Sequence, residues 1–320
     1  MSMKKIAEIA GVSVATVSKA FRNSKEISPQ RRRQIFDVAK ELGVYEKYAA
    51  EKFGKKVIAV ICPEMQGGYY NKIVHILQKK IAERNGVMIV SVTAFDAAMA
   101  EELYVYHTRY QKADGVLLMC QRETLENPLL VPTVHLGCEH EMDSVSSGFK
   151  EALDDIVRMC KENGHKTIAF LGESLTISKQ KAFEKAMEKV GMWVHQEMLI
   201  VSKLRFEEAG RDGIRRLLAQ GKLPEAIVAA YDQIAIGAIQ ELRENGLSVP
   251  EDISVIGMND IEACDYLETP LTTVKLDMED LCDKALEILY RKMDNRFYSS
   301  KENVQIKSQL VQRESVKKKR

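Results

Sequence analysis

Residues 3–23, MKKIAEIAGVSVATVSKAFRN, admit few folds. Ile6, Ile9 and Ala10 make one apolar stripe, and Val17, Ala20 and Phe21 make a second at i, i+3, i+4 spacing. Gly11 supplies a turn position open to positive φ, and Val12 can fill the angle between two helices. Ser13 stands where a helix N-terminus needs a capping oxygen. The second helix then turns small or polar groups outward: Val14, Ala15, Thr16, Ser18 and Lys19. A helix with a buried inner face and a narrow, hydrogen-bonding outer face fits the major groove of DNA. An ordinary helical hairpin has the same periodicity, so the rest of the chain must decide.

Charge distribution favours DNA. Residues 1–56 hold 13 Lys or Arg against 6 Asp or Glu, whereas the remaining 264 hold 34 against 40. A basic head on an acidic body suits a polyanion, although a solvated basic face would give the same count. The six cysteines are scattered without a CxxC pair, and Cys62 and Cys120 close apolar runs, as buried thiols do. No apolar leader segment and no run of membrane-spanning length is present, so a reducing, cytoplasmic location is expected. The six histidines do not cluster at ligand spacing. There is no GxGxxG after a strand, no GxxxxGK[ST], no HExxH, and no nucleophile with a base beside it. Neither a metal, a cofactor nor an enzymatic activity is expected.

At 320 residues the chain suits a small domain plus a two-lobed one. A third helix starts at Ser28-Pro29, an N-cap followed by proline at the first helical position. It continues through Arg31 and closes a three-helix core with Ile35, Val38, Ala39 and Leu42. Residues 1–43 form this head, 44–56 read as a polar linker, and 57–320 as the body. In the body, apolar runs at 57–63, 87–92, 115–120 and 133–137, then at 167–172, 198–201, 226–231 and 253–258, alternate with helical segments, the first at 72–84. That rhythm means parallel sheets with helices on both faces, in two lobes. A cleft is expected at the carboxyl ends of the strands.

The head resembles the N-terminal headpiece of the lactose-repressor (LacI/GalR) family of bacterial transcription regulators. The string AGVSVATVS carries the resemblance, with Ile6, Ala7, Lys19 (usually Arg) and Asn23. It continues through Gly164-His165, Pro250 with Asp252 to Gly257, Leu271 to Val274, and Leu310-Val311 with Arg313 and Ser315. The resemblance implies a helix-turn-helix headpiece plus a periplasmic-binding-protein-like body. It places one lobe at about 57–163 and 275–302, and the other at about 164–274 and 303–320, with the final strand at 304–312.

By the same resemblance, Val14, Ala15 and Lys19 reach base edges. Ser13, Thr16, Ser18 and Arg31 are placed for phosphates, and Arg22 and Asn23 for either. The linker departs from the family pattern: Glu46, Lys47 and Glu51 replace Pro, Asn and Arg. Phe53 stands where the family wedges a leucine into the minor groove. In the body, Tyr69, Tyr70, Ser144, Lys179, Arg205, Phe206, Tyr231, Asp232 and Asn259 fall at effector-binding positions. Arg205 aligns with the usual stacking aromatic. Two cations, Lys179 and Arg205, would draw a phosphate or carboxylate into the cleft; if Arg205 points to solvent and Phe206 stacks instead, a neutral sugar fits equally.

The function implied is a sequence-specific transcription regulator, in the family's usual form a repressor. It would act as a homodimer on an inverted-repeat duplex operator, controlled by a sugar or anionic metabolite. A solute-binding sensor with a weakened headpiece is the alternative, motivated by Glu46 and Glu51.

Overall fold

The computed structural model describes residues 2–22, 24–49, 54–119, 130–295 and 300–318. Asn23, Glu51, Phe53 and Cys120 lie outside the described residues. Two compact units divide the chain, Met1–Lys56 and Val57–Arg320.

In the first unit, helices α1 (Met3–Ala10), α2 (Val14–Phe21) and α3 (Pro29–Glu41) enclose Ile6, Ala7, Ala10, Val17, Ala20, Ile35 and Ala39. Gly11 ends α1 in the left-handed region at φ 63°, and the Val12 N–H returns to the Ala7 carbonyl. A side chain at Gly11 would be strained there, so the turn depends on glycine. The hydroxyls of Ser13 and Ser28 accept from the Thr16 and Arg31 N–H groups and cap α2 and α3. Pro29 occupies the first turn of α3, as its lack of an N–H favours. Ile9 differs from its expected place: it is 49% exposed, because Ala7 fills the third inward position of α1.

The stretch read as a linker begins with more structure than its polarity suggested. Residues Tyr45–Ala49 form a short helix, α4. Tyr45 and Tyr48 pack on Phe21 at ring distances of 6.0 and 5.7 Å, and Tyr45 meets Phe36 edge-on at 5.3 Å. These aromatics extend the headpiece core beyond α3.

The second unit begins with β1 (Lys56–Cys62), α5 (Gly68–Glu83), β2 (Gly86–Val92) and α6 (Ala97–Val105), which runs into a π-helical turn at Tyr106–Tyr110. Then come β3 (Gly115–Met119), β4 (Thr133–Gly137), β5 (Ser144–Ser147), α7 (Phe149–Glu162), β6 (Ile168–Glu173), α8 (Ile177–Lys189) and β7 (Leu199–Ser202). The chain continues through α9 (Phe206–Ala219), β8 (Ala226–Ala229), α10 (Asp232–Glu244), β9 (Ser254–Ile256), β10 (Thr273–Leu276), α11 (Met278–Asp294), β11 (Asn303–Ile306) and β12 (Ser308–Val311).

Lobe 1 is built on the sheet β11-β5-β4-β3-β1-β2, and lobe 2 on β7-β6-β8-β9. In each lobe the first strand has the second on one side and the third on the other. The carboxyl ends of β1 and β6 therefore border topological switch points, where open α/β sheets bind ligands. Each lobe has its own core. One joins Ile58, Val60, Ile73 and Leu77 to Leu281, Leu286 and Leu289 of α11. The other joins Phe170, Phe183, Ile214, Val228 and Ile234.

Three boundaries differ from the sequence reading. Strand β5 adds to lobe 1 where no apolar run announced it. Helix α7 buries Leu153, Ile156, Val157 and Cys160 in the core of lobe 2, so the first crossing falls near Gly148 rather than 163. The expected terminal strand is two strands: β11 pairs parallel with β5 in lobe 1, and β12 pairs antiparallel with β10. The last crossing is therefore near Lys307 rather than 300.

Candidate functional site

The first candidate surface is the outer face of α2. Val17 and Ala20 are buried, which orients the helix and leaves Ser13, Val14, Ala15 and Lys19 exposed. Thr16 and Ser18 are half-buried, and Arg22 and Arg31 are exposed. The Ser13 and Thr16 hydroxyls lie 2.8 Å apart at the N-terminus of α2, where backbone N–H groups favour a phosphate. Val14 and Ala15 offer methyl contacts only, and Lys19 offers three N–H donors. Two features were not legible in the sequence. Lys19 is ion-paired with Glu26, and Arg32 turns inward to donate to the carbonyls of Ser24 and Ile27. Arg32 thereby braces the connection between α2 and α3.

The second candidate site is a cavity of about 440 Å³ between the two lobes of the body. Its walls come from the loops that follow strands, as the topology requires. Tyr69, Tyr70, Lys179, Arg205, Phe206, Tyr231 and Asn259 all line it. Glu64, Phe95, Glu173 and Gln233 line it too, although the sequence reading passed over them. Glu64 follows β1 and Glu173 ends β6, so a carboxylate beside each switch point was the available signal.

Two expected residues are elsewhere. Ser144 is buried in β5 and hydrogen-bonds the Asn303 side chain, 3.0 Å away on the neighbouring strand β11. Asp232 is fully buried: its carboxylate accepts from the Thr273 hydroxyl at 2.5 Å and the Ile261 N–H at 3.0 Å. Burial pushes the Asp232 carboxyl above its usual range. Both polar groups tie backbone segments together rather than face a ligand.

Arg205 is the centre of the cleft's electrostatics. Its Nη1 and Nη2 donate to Glu64 Oε2 and Oε1 at 2.6 and 3.0 Å. Its Nε faces both oxygens of Glu173 at 3.2 Å. The guanidinium lies 4.6 Å from the Phe206 ring centre and 5.4 Å from that of Phe95. Lys179 Nζ donates to the Ala230 carbonyl at 2.7 Å. The expectation that Lys179 and Arg205 form an uncompensated cation pair is thus corrected. Glu64 and Glu173 answer Arg205 directly, and these four cleft groups carry two charges of each sign.

The aromatic walls are set by backbone as well as packing. Tyr69 and Tyr70 meet edge-on at 5.1 Å, and Tyr70 meets Phe95 at 6.3 Å. Phe206 opens α9 with φ 54°, a left-handed conformation that an L-residue adopts only when its surroundings enforce it. Its N–H donates to the Tyr231 hydroxyl at 3.2 Å, and burial raises the Tyr231 phenol far above its usual range. A Cβ at Gly67 would lie 2.9 Å from Phe206 Cε1, so the glycine lets lobe 1 approach lobe 2 closely.

Among the described residues no three His, Cys, Asp or Glu side chains gather as metal ligands. No described helix is long and apolar enough to cross a membrane.

Residues 2–46 match the family described as "Bacterial regulatory proteins, lacI family", and residues 157–316, half of the chain, match "Periplasmic binding protein-like domain". The regulator RegA of Clostridium saccharobutylicum is 28% identical over 330 residues, covering 98% of each chain. The repressor PurR of Haemophilus influenzae is 27% identical over 334 residues, covering 99% of this chain and 98% of its own. Among solved structures, the Lac repressor dimer bound to operator and the anti-inducer ONPF has a TM-score of 0.74 at 21% identity, covering 99% of each chain. The regulator CelR in complex with cellobiose has a TM-score of 0.72 at 22% identity, covering 98% and 99%. The lac repressor likeness shows the same headpiece-and-two-lobe fold, and the match of both sequence families in that order, across the same chain length, is decisive: this chain belongs to the lacI family of bacterial regulatory proteins.

Proposed function

We propose that the chain is a DNA-binding transcription regulator, acting as a cytoplasmic homodimer and not as an enzyme. Its α2 reads an inverted-repeat operator, and a small molecule held between its lobes controls it. One observation carries the DNA reading: the buried Val17 and Ala20 fix α2 so that Val14, Ala15 and Lys19 stand outward together on a capped, basic headpiece. Lys19 is the one of these three that can donate to guanine O6 and N7, while the apolar pair suits thymine methyl groups. Phe53 stands where a minor-groove wedge is expected, so operator kinking belongs to this reading. Two headpieces must reach half-sites one duplex turn apart, about 34 Å, so lobe movement that changes their spacing changes affinity.

The cleft's chemistry supports a neutral, polyhydroxylated effector. Its charges are balanced, its carboxylates and guanidinium alternate as acceptors and donors, and Tyr70, Phe95 and Phe206 give apolar faces. A sugar-like ring offers hydroxyls to the first set and C–H faces to the second. The cavity volume is within the usual range for small-molecule sites.

Selection of bound sequences from random duplex DNA tests this function. An inverted repeat with a guanine preference lost in Lys19→Ala is expected. Recovery of no motif at all would reject operator recognition and favour a solute sensor whose headpiece no longer reads DNA.

A further inference from the structure

The Arg205–Glu64 pair joins the two lobes. Glu64 belongs to lobe 1, in the loop after β1, and Arg205 belongs to lobe 2, at the start of α9. Both ends of the guanidinium are used, so the geometry is a bidentate fork on one carboxylate. Glu173 fixes this fork from behind. It is 2% exposed, it sits in lobe 2, and it holds Arg205 Nε. Arg205 is therefore aimed at lobe 1 by its own lobe.

The surroundings reinforce that aim. Phe206 of lobe 2 and Phe95 of lobe 1 flank the guanidinium, and both keep left-handed backbone, at φ 54° and 65°. Next to the pair, Gly67 stands against the Phe206 ring, and a Cβ on Gly68 would lie 3.3 Å from Ile261 of lobe 2. The lip of lobe 1 is thus in direct contact with lobe 2 beside the ion pair. Side chains of both lobes meet directly in this closure.

We propose that Glu64 and Arg205 form a latch that holds the two lobes closed through the protein's own charges. An effector then meets a cleft already biased toward closure and supplies only its differential affinity for the two arrangements. The consequence for operator binding rests on the function proposed above, but the latch is made of the protein's own residues and is tested without DNA or effector.

Lys72 on α5 and Lys181 on α8 are exposed positions on opposite lobes. Full-length protein carrying Lys72→Cys and Lys181→Cys, nitroxide-labelled, diluted with unlabelled chain and free of added ligand, gives the interlobe distance by electron–electron double resonance. Labelling of the parent chain without these two cysteines supplies the blank for native thiols. The parent pair should give a narrow, short distance. Adding Glu64→Gln should lower the closed-to-open ratio roughly fivefold, as loss of a partly exposed charge pair predicts, and broaden the distribution toward longer distances. Arg205→Lys keeps the charge but not the fork, and should open the cleft partially; it is read in place of Glu64→Gln if that variant does not unfold cooperatively. A distribution in the variant superimposable on the parent's would overturn the latch. Failure of the parent to bind any operator would overturn the regulator reading while leaving the latch standing.

Discussion

Glu26 holds the ammonium of Lys19 at 2.5 Å, and both side chains are exposed. The donor proposed to read guanine is thus engaged by a surface carboxylate from the turn that follows α2. Such pairs are weak, so DNA can displace Glu26 at small cost. Glu26→Gln should therefore tighten operator binding by a few-fold, in line with the roughly 0.2–1 kcal/mol of an exposed pair. Lys19→Ala should weaken it by about 1–3 kcal/mol and relax preference at one base per half-site. Fluorescence anisotropy on a selected operator and its single-base variants measures both. Equal loss on every sequence would make Lys19 a phosphate contact instead.

Tyr48 is seated on Phe21. Tyr48→Ala should loosen the headpiece by about 1–2 kcal/mol, since aromatic pairs add to the burial lost. Hydrogen exchange of the full chain should show faster exchange in α3 around Ile35 and Ala39, with β1 and β6 unchanged. Unchanged protection of α3 would mean that α4 adds nothing to the headpiece.

Gly67→Ala introduces a Cβ 2.9 Å from Phe206 and strains a backbone at φ 74°. It should lower stability by about 1 kcal/mol through φ alone and also force the lobes apart. Phe206→Ala removes the clash but not the strain, so in thermal unfolding Gly67→Ala should cost less in the Phe206→Ala background than in the parent. An equal cost in both backgrounds would show that φ accounts for the whole effect.

These residues also show which features the sequence carried. The headpiece was legible because its signals are local: Gly11 for a positive φ, Ser13 and Ser28 as caps, Pro29 in a first turn. The β–α rhythm was legible because strands such as VIAVIC are apolar on both faces. Boundaries between lobes were not, because α7 shows one apolar stripe that would suit either core. Strand β5, reading Ser-Val-Ser-Ser, has no apolar run; its identity comes from pairing with β4 and β11. The family resemblance puts Asp232 and Ser144 at cleft positions but does not say that their side chains turn inward to Thr273 and Asn303. Glu64 was missed because its importance lies in a partner 141 positions away.

His107 makes stability depend on acidity. Its Nε2 pairs with the Ser91 hydroxyl at 2.7 Å, its Nδ1 is buried without a hydrogen bond, and burial lowers its pKa below the usual imidazole value. The neutral ring is thus favoured in the folded state. Its contribution is present above the unfolded imidazole pKa and is lost as pH falls through the lower folded value. His140 is shifted in the same direction, chiefly by burial, and stacks on His135. The melting temperature should fall between pH 7 and pH 5, and less steeply in His107→Gln than in the parent. Parallel pH profiles would remove His107 from the explanation.

The cleft's balanced charge makes a choice between ligands. In a thermal-shift screen, neutral sugars and polyols near 100 times their dissociation constants should add about 2.7 kcal/mol of stability. Their phosphates and the corresponding sugar acids should add less, because an anion must compete with Glu64 and Glu173 for Arg205. Stronger stabilisation by the anions would reverse the assignment.

Coupling between the cleft and DNA is the central claim, and operator affinity with and without a stabilising compound tests it most directly. Any compound that raises the melting temperature by binding the cleft should change the operator dissociation constant by roughly 5- to 150-fold, the usual span of coupling between two sites. The operator should in turn change that compound's affinity by the same factor. A compound that binds the cleft, loses its effect in Glu173→Gln, and leaves operator affinity unchanged would contradict the account.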